Sequence, residues 1–364
     1  MSKLFWYWPF ARGEELDLAI AAARGDDELV IQTLDREYAP PAGRHGNVTV
    51  QRDLHDVQRG RMSKPVWMAS RARTYADRAR TRQKAIRSGR FDLVHLHFLN
   101  RFTDLVAPLP HPLVISVHDV LPHNPRLGVR GEKALHSRLY ARADLLVVHH
   151  RQLADDLMNV FDIPSRRIGV VPMQVFPVAD VKPHPPAGPP MFLLFGALRP
   201  NKGMDIVEAA LRLLPDLDLR VVIAGQGDTE LATRARRMAE EDPRVTAEIG
   251  VVSIERKHEL FSDASVVLLP YTHFASQSAV LHDAYGHRRP VIATDVGALG
   301  VSVRDDGTGV VIAPRDPAAL ANAMRVTLDA DNWSTWADAC HAATEQRSPE
   351  VLGRKLRDAY DELL

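Results

Sequence analysis

The sequence is poor in cysteine and has no excess of charge of either sign. Its single cysteine, Cys340, excludes an internal disulfide and any cysteine-rich metal site. The 46 lysines and arginines are balanced by 46 aspartates and glutamates, so net charge indicates no polyanion as a partner. We therefore expect a globular protein that does not bind nucleic acid.

Long hydrophobic runs are also missing from the sequence. The apolar segment KLFWYW at 3–8 ends at Pro9, which is too early for the core of a signal peptide, and no run reaches the length of a transmembrane span. We expect a cytoplasmic protein and leave open a weak contact with a membrane surface. The 364 residues suffice for two domains of ordinary size.

The first half alternates strand-like and helical segments. Such alternation predicts a doubly wound α/β domain, with strands at 3–8, 27–34, 91–99, 112–124 and 167–173, a strand followed by a helix over 143–161, and helices at 14–24 and 66–90. The basic helix at 66–90 is interpreted as a solvated face, with an electrostatic dock for an anionic membrane or substrate as the alternative.

Ligands of such sheets bind at the carboxyl ends of the strands. Arg12 and Gly13 follow the first strand and are candidates for touching an acceptor, although a glycine beside a charged residue in a loop is more often a plain turn. His118 and Asp119 end a later strand, where a histidine can donate to a hydroxyl or a developing charge; the alternative is a capping loop histidine. His95 and His97 share a strand face, and we favour packing or cleft lining over a metal site.

A proline-rich segment at 172–190 is predicted to be the linker between two domains. We place the first domain at 1–175 and the second at 176–347, and expect the last helix, about 348–364, to pack back on the first. In the second half, Arg199 and Lys202 follow a strand and precede a helix, which predicts a phosphate clamp rather than an ordinary basic loop.

The stretch 265–299 combines a buried strand, a short loop, a helix and another buried strand. The small and hydroxylated residues before the helix allow its free amide groups to approach an anion, and Asp283 follows as an acid for sugar hydroxyls. The alternative is an ordinary capped strand–helix–strand unit. Gly225 and Gly227 form a glycine turn that by itself indicates only close backbone approach, and we count both among the candidate nucleotide-binding residues.

These blocks resemble family 4 glycosyltransferases. The resemblance rests on GALRPNKGMD, VVIAGQGD, the stretch 265–299 and DGTGVVIAPRDPAALANAM, together with VHLHFL, VISVHDVLPH and ADLLVVHHRQLADDL in the first half. It implies the α/β GT-B fold, two Rossmann-like domains facing a central cleft, with the acceptor bound by the first and the nucleotide-sugar donor by the second. It further implies transfer of a hexose-type sugar with retention of configuration, without a metal or other cofactor.

Carried over by position, the resemblance assigns roles to individual residues. Arg199 and Lys202 would hold the donor diphosphate, Asp283 the ribose hydroxyls, and His118 would reach the donor sugar. The first of the family's two glutamates falls at Ala275 and is missing here. The donor phosphate and sugar would then be held by the loop and amides at Ser276, Gln277, Ser278 and Ala279, while Arg12, Gly13 and Asp119 remain candidates on the acceptor side.

Other functions on this fold stay open. A nucleotide-sugar 2-epimerase or a phosphorylase-like enzyme would keep the donor site, and a non-catalytic nucleotide-sugar-binding subunit would account for Ala275. A dinucleotide oxidoreductase is disfavoured because no Gly-x-Gly-x-x-Gly follows the first strand. The acceptor is expected to be a small molecule, a glycan or a lipid-linked group; the sugar, the nucleotide and the oligomeric state are not defined by the sequence.

Overall fold

The structure is a computed structural model, and it describes residues 1–57, 62–100, 102–121, 127–179, 181, 188–273 and 278–364. The chain divides into two compact units. The first consists of Met1–Pro172 and Pro349–Leu364, and the second of Met173–Ser348. Each unit is an α/β domain with its own sheet and helices on both faces.

The first unit is built on a sheet in which eight strands are found over the described residues. Their order is β3-β4-β2-β1-β5-β6-β7-β8, and every pair is parallel except β3 with β4. Apolar runs such as LVISV form the central strands because both faces of a parallel sheet are covered. The strands are β1 Lys3–Tyr7, β2 Glu28–Leu34, β3 Gly43–His45, β4 Val48–Leu54, β5 Leu93–Leu96, β6 Leu113–Val117, β7 Leu145–Val148 and β8 Ile168–Val170.

The helices of the first unit include the C-terminal one. They are α1 Leu16–Ala22, α2 Lys64–Gly89, α3 Thr103–Val106, α4 Gly128–Ala141, α5 Arg151–Phe161 and, at the end of the chain, α13 Pro349–Asp361. Gly353 of α13 lies so close to α1 that a Cβ added there would be 2.4 Å from the Cβ of Ala21. The last helix therefore packs tightly against the first helix of the chain.

The second unit has a six-stranded parallel sheet over the described residues, in the order β11-β10-β9-β12-β13-β14. Its strands are β9 Met191–Phe195, β10 Arg220–Gly225, β11 Val245–Ile249, β12 Val266–Leu269, β13 Val291–Thr294 and β14 Gly309–Ile312. Its helices are α6 Met204–Arg212, α7 Thr229–Glu241, α8 Ile254–Asp263, α9 Ala279–Gly286, α10 Gly297–Asp306, α11 Pro317–Val326 and α12 Ala330–Glu345. Two apolar cores lie on the two faces of this sheet.

The structure corrects the sequence prediction at several places. The hairpin formed by β3 and β4 was not predicted, nor were α3 and α4. The start of the proline-rich segment is not a free linker either: Val175, assigned to the first domain, is fully buried in the core of the second unit, and its amide donates to the carbonyl of Arg347. Burial of the valine side chain and pairing of its amide fix this part of the segment, although prolines lie on both sides of it.

No helix in the described part of the chain combines the length and the apolar character that crossing a bilayer requires.

Candidate functional site

The second unit has its strand-order reversal between β9 and β12. From β9 the chain continues through β10 to β11 on one side, and from β12 through β13 to β14 on the other. In open α/β sheets, the carboxyl ends of the two strands at such a reversal border the crevice in which ligands bind. The loops that leave β9 and β12 therefore border the crevice of this sheet.

The loop after β9 brings a lysine beside the end of β12. Arg199 precedes a single turn of 3₁₀ helix, Pro200–Lys202, and Gly203 follows in a left-handed conformation with a φ of 71°. A Cβ at Gly203 would lie 2.0 Å from the carbonyl oxygen of Pro270. Glycine is therefore needed for the backbone to pass this close, and this approach sets the position of Lys202.

Lys202, Tyr271 and Ser278 form a row of hydrogen bonds at this edge. The ammonium of Lys202 donates to the Tyr271 hydroxyl and lies 3.7 Å from the centroid of that ring. The Tyr271 hydroxyl is 3.1 Å from the Ser278 Oγ, and either hydroxyl can be the donor. The tyrosine thus joins the loop after β9 to the start of α9.

Burial shifts the pKa values of this row. Burial, and secondarily repulsion from Arg199, lowers the pKa of Lys202 to about 8. Burial raises the pKa of Tyr271 to about 12, opposed by its bond to Ser278. At neutral pH the tyrosine is uncharged, and the lysine is mostly an ammonium whose positive charge is poorly solvated. Such a cation is stabilised by an approaching anion.

Helix α9 begins at this same edge. Ser278, which is buried, is its N-cap residue, and the exposed Ala279 is its first residue. The amide groups of a first helical turn have no partner within the helix and attract anions. Ala275, Ser276 and Gln277, which the sequence assigned to the same loop, lie outside the described residues.

Asp283 lies one turn into α9, where its carboxylate is paired. Its Oδ1 lies 2.9 Å from the Nζ of Lys257 on α8, and about a quarter of its side chain is exposed. The candidate sugar-binding acid therefore has a cation next to it that the sequence did not single out. Lys257 is one of the residues that sequence reasoning missed.

Gly225 and Gly227 have a packing role. Gly225 has a φ of 142°, and a Cβ there would lie 1.9 Å from the carbonyl oxygen of Gly196. Gly227 forms an isolated parallel bridge with Leu198. The close approach expected of this turn is thus an approach to the neighbouring chain after β9, and a nucleotide contact by these glycines stays a prediction.

The first unit reverses its strand order between β1 and β5, and a group of rings lies near those strand ends. The rings of Trp8 and His97 are stacked with centroids 4.2 Å apart, and His97 is stacked on His95 at 3.9 Å. His95 uses its two nitrogens on the hydroxyls of Tyr360 and Ser116. Burial lowers the pKa of His95 to about 3, so it is a neutral core residue.

His118 belongs to the same group of rings. It stacks on Phe98 with centroids 4.5 Å apart, and His149 lies at 4.8 Å on a neighbouring strand end. Its Nε2 is 2.8 Å from the carbonyl oxygen of His97, so Nε2 carries the proton and donates. Burial lowers its pKa, opposed by that bond and by Asp119. The neutral ring therefore presents an acceptor at Nδ1, whereas the sequence analysis expected a donor.

The other candidates in the first unit lie near the same strand ends. The exposed Arg12 and Gly13 follow β1, and the Gly13 amide donates to the carbonyl of Tyr38. A Cβ at Gly13 would meet no atom within 4 Å, so the turn itself does not require glycine. Asp119 directly follows His118 and acts on its pKa.

No group of three or more potential metal ligands is found among the residues that the structure describes. The histidine pair considered for a metal, His95 and His97, is instead part of the ring stack. Tyr271 was missed because its role depends on Lys202, 69 residues away in sequence. Its position directly after a buried strand was the available signal.

Comparisons with known proteins cover both halves of the chain. Residues 16–175 match the model described as Glycosyltransferase Family 4, and residues 189–330 match Glycosyl transferases group 1. The chain is 30% identical over 226 residues to a D-inositol 3-phosphate glycosyltransferase of Corynebacterium glutamicum (strain R). That alignment covers 53% of this chain and 51% of the relative, so the chain spans about half the length of that protein.

Solved structures show the same fold. Sucrose-phosphate synthase from Thermosynechococcus elongatus has a TM-score of 0.73 at 18% identity and covers 100% of this chain and 99% of its own. Anabaena HepE in complex with UDP-glucose has a TM-score of 0.68 at 15% identity, with full coverage of both chains. With a family model matched in each half, the chain resembles the family 4 glycosyltransferases over most of its length and has the GT-B fold.

Proposed function

We propose that this protein is a retaining glycosyltransferase that moves a hexose-type sugar from a nucleoside-diphosphate sugar to an acceptor hydroxyl, without a metal. The observation that carries the proposal is the hydrogen-bonded row of Lys202, Tyr271 and Ser278 at the strand-order reversal of the second sheet. Two comparisons support it: a relative named as a glycosyltransferase, and a structure of the same fold in complex with UDP-glucose.

The second unit would bind the donor. Arg199 and Lys202 would hold the diphosphate together with the amides at Ser278 and Ala279, and Asp283 would bind the ribose. As the bond between sugar and phosphate breaks, negative charge grows on the departing nucleoside diphosphate. Preorganised donors meet such charge, and one of them typically contributes about 3–4 kcal/mol at the transition state. Ser276 and Gln277 enter the proposal through the resemblance alone.

The first unit would bind the acceptor, and His118 would support the transferred sugar. Its neutral ring is oriented by the His97 carbonyl and by stacking on Phe98, and its Nδ1 would accept a hydrogen bond from a hydroxyl of the sugar. A neutral histidine beside the sugar ring also suits the positive charge that this sugar ring carries in an oxocarbenium-like transition state. Arg12, Gly13 and Asp119 are the proposed contacts on the acceptor side.

In the proposed reaction, the new bond forms on the same face of the sugar as the bond that breaks, and the departing phosphate takes up the proton. The bond from the anomeric carbon to the phosphate oxygen breaks, and a bond from that carbon to the acceptor oxygen forms on the same face. The proton of the acceptor hydroxyl passes to the departing phosphate oxygen. No side chain is assigned as a general base, so Lys202 and Arg199 act by stabilising charge rather than by moving the proton.

The proposal places the protein in the cytoplasm, with a weak contact of α2 with an anionic membrane surface. Val66 and Met68 are each 56% exposed on this helix, and the side chains of Arg73 and Arg80 are mostly exposed. Apolar and cationic groups together favour anionic lipid. Co-sedimentation with phosphatidylglycerol vesicles, but not with phosphatidylcholine vesicles, is the expected result.

A panel of nucleoside-diphosphate sugars tests the proposed reaction and its alternatives. The full chain should release nucleoside diphosphate only when a suitable hydroxyl acceptor is added, and the product should keep the donor's anomeric configuration. An epimerase would convert the donor without an acceptor. A non-catalytic subunit would bind the nucleotide sugar but transfer it to no acceptor, and either result would contradict the proposal.

A further inference from the structure

Lys257 and Asp283 meet between two helices that begin at the ligand-binding edge of the second sheet. Helix α8 follows β11 and helix α9 follows β12, and both pack on the same apolar core through residues such as Phe261 and Leu281. Lys257 is the fourth residue of α8 and Asp283 the fifth of α9. The pair therefore lies about one turn below the edge where the diphosphate is proposed to bind.

The pair is partly buried but accessible. The distance from Nζ to Oδ1 is 2.9 Å, and the side chains of Lys257 and Asp283 keep 21% and 25% of their surface exposed. A carboxylate only accepts hydrogen bonds and an ammonium only donates them, whereas a hydroxyl does both. Two adjacent hydroxyls can thus bind side by side, one donating to Asp283 and the other accepting from Lys257.

A second contact between the same helices fixes the geometry of the pair. The Nδ1 of His287 donates to the backbone carbonyl of Asp283 at 2.7 Å, which leaves its Nε2 as an acceptor. The Nδ1 of His258 donates to that Nε2 at 3.1 Å. Because His258 follows Lys257 directly, α8 and α9 are tied together next to the ion pair. The two head groups are therefore positioned before any ligand arrives.

Charge gives a further reason for a lysine at this place. A lone carboxylate at Asp283 would repel a diphosphate bound by Lys202, and Lys257 cancels that charge. Aspartate also reaches one methylene less far than the glutamate that the resemblance leads one to expect. An ammonium beside it provides the donor that completes the recognition of a diol.

We propose that Lys257 and Asp283 together form a clamp for the two ribose hydroxyls of the nucleotide, and that Lys257 discriminates ribose from 2′-deoxyribose. The proposal rests on the proposed function, since it requires a nucleotide at this edge. It adds Lys257 as a specificity-determining residue and defines the ligand group that this residue contacts.

Calorimetric titration of the full chain tests the clamp. UDP, ADP and GDP are compared with their 2′-deoxy counterparts, in the wild type and in Lys257→Met. We expect the wild type to bind its preferred ribonucleotide about tenfold more tightly than the deoxy form, as for one lost hydrogen bond to a charged group. Lys257→Met should bind the ribonucleotide more weakly and bring the ratio of ribonucleotide to deoxyribonucleotide affinity close to one.

Two controls separate the clamp from other roles of Lys257. Arg256→Met breaks an ion pair of the same helix, with Glu248, and should keep the wild-type ratio. Inorganic pyrophosphate, which has no ribose, should lose much less affinity than UDP in Lys257→Met, because only the repulsion by the uncovered Asp283 carboxylate acts on it. If Lys257→Met lost as much affinity for pyrophosphate as for UDP, Lys257 would be a phosphate ligand, and this result would overturn the clamp.

The outcomes also separate the clamp from the proposed function. If the wild type binds a nucleoside diphosphate and Lys257→Met keeps its preference for ribose, the clamp is wrong and the proposed function stands. If the wild type binds none of the three diphosphates, both are wrong. Equal melting temperatures of the wild type and Lys257→Met would show that any loss does not come from unfolding.

Discussion

At the ligand-binding edge of the first sheet the prominent side chains are neutral rings, and at the same edge of the second sheet they are cations and hydroxyls. His97 and His118 stack on aromatic neighbours, and burial lowers their pKa values. Lys202 instead has a partly buried ammonium that donates to Tyr271. Two domains of the same architecture thus offer different chemistry: one suits an uncharged, hydroxylated ligand and the other suits an anion.

The two edges also differ in how their loops are fixed. After β5, the Asp104 carboxylate accepts from the Asn100 amide at 2.8 Å and from Arg82 at 2.6 Å, and this ion pair is almost completely buried. After β12, the loop is held by the bond from the Asn201 side chain to the carbonyl of His273 at 3.1 Å and by the bond from Lys202 to Tyr271, and Lys202 is only partly buried. A buried charge makes the first arrangement more sensitive to the loss of a partner.

The largest expected effect is therefore on stability in the first unit. Asp104→Ala leaves the Arg82 guanidinium buried without its carboxylate, and we expect the free energy of unfolding to fall by about 3–5 kcal/mol. Urea denaturation of the wild type and the variant measures this fall in the free energy of unfolding. The matched control is Asp216→Ala, which breaks an exposed, solvent-screened pair with Arg325 and should lower stability far less. Equal losses in the two variants would contradict the importance of the buried ion pair after β5.

Next in size is the loss of the cation in the second unit. Lys202→Ala should lower turnover by at least about a hundredfold, because the departing diphosphate loses a preorganised donor. Steady-state assays with the preferred donor measure this. Lys355→Ala, a change at an exposed lysine, should keep wild-type turnover. Near-wild-type activity of Lys202→Ala would remove Lys202 from the donor site.

A smaller effect is expected in the first unit. His118→Ala should lower kcat on the order of thirtyfold, as for one lost hydrogen bond in the transition state, with a change in nucleotide affinity of only about twofold. His341→Ala in α12 serves as the control and should change neither quantity. A loss of affinity equal to the loss of rate would place His118 at the nucleotide rather than at the sugar.

The smallest effect concerns pH. Lys202 has a pKa of about 8 in the free protein, so its ammonium is largely present at pH 7 and largely lost at pH 9. Affinity for a diphosphate should fall as pH rises, by about tenfold between pH 7 and pH 9 if only the charged form binds. Lys202→Arg keeps its charge over this range and should have a nearly flat profile. If the affinity of the wild type did not change with pH, the lowered pKa of Lys202 would be contradicted.

Much of the fold could be predicted because its central strands are short apolar runs bounded by polar loops. The hairpin was missed since β3, Gly43–His45, is a three-residue edge strand without an apolar pattern. Val175 was misplaced because a proline-rich composition indicates a linker, while its burial depends on partners such as Arg347 far along the chain.

The candidate site could be predicted only where its residues are close in sequence. Arg199 and Lys202 follow one strand directly and were found from the sequence. The bond from Lys202 to Tyr271 and the pair of Lys257 with Asp283 join loops and helices that are distant in sequence. The proton position on His118 likewise depends on the carbonyl of another strand end, which the spacing of residues does not reveal.

The central claim is that the second sheet's edge binds a nucleoside diphosphate through Lys202 and its tyrosine. The most direct measurement is calorimetric titration of UDP, ADP and GDP into the full-length wild type, Tyr271→Phe and Lys202→Ala. The account predicts that at least one diphosphate binds the wild type, that Tyr271→Phe binds it more weakly, and that Lys202→Ala loses at least about tenfold in affinity. Binding to none of the three, or equal affinity in the wild type and Lys202→Ala, would contradict it.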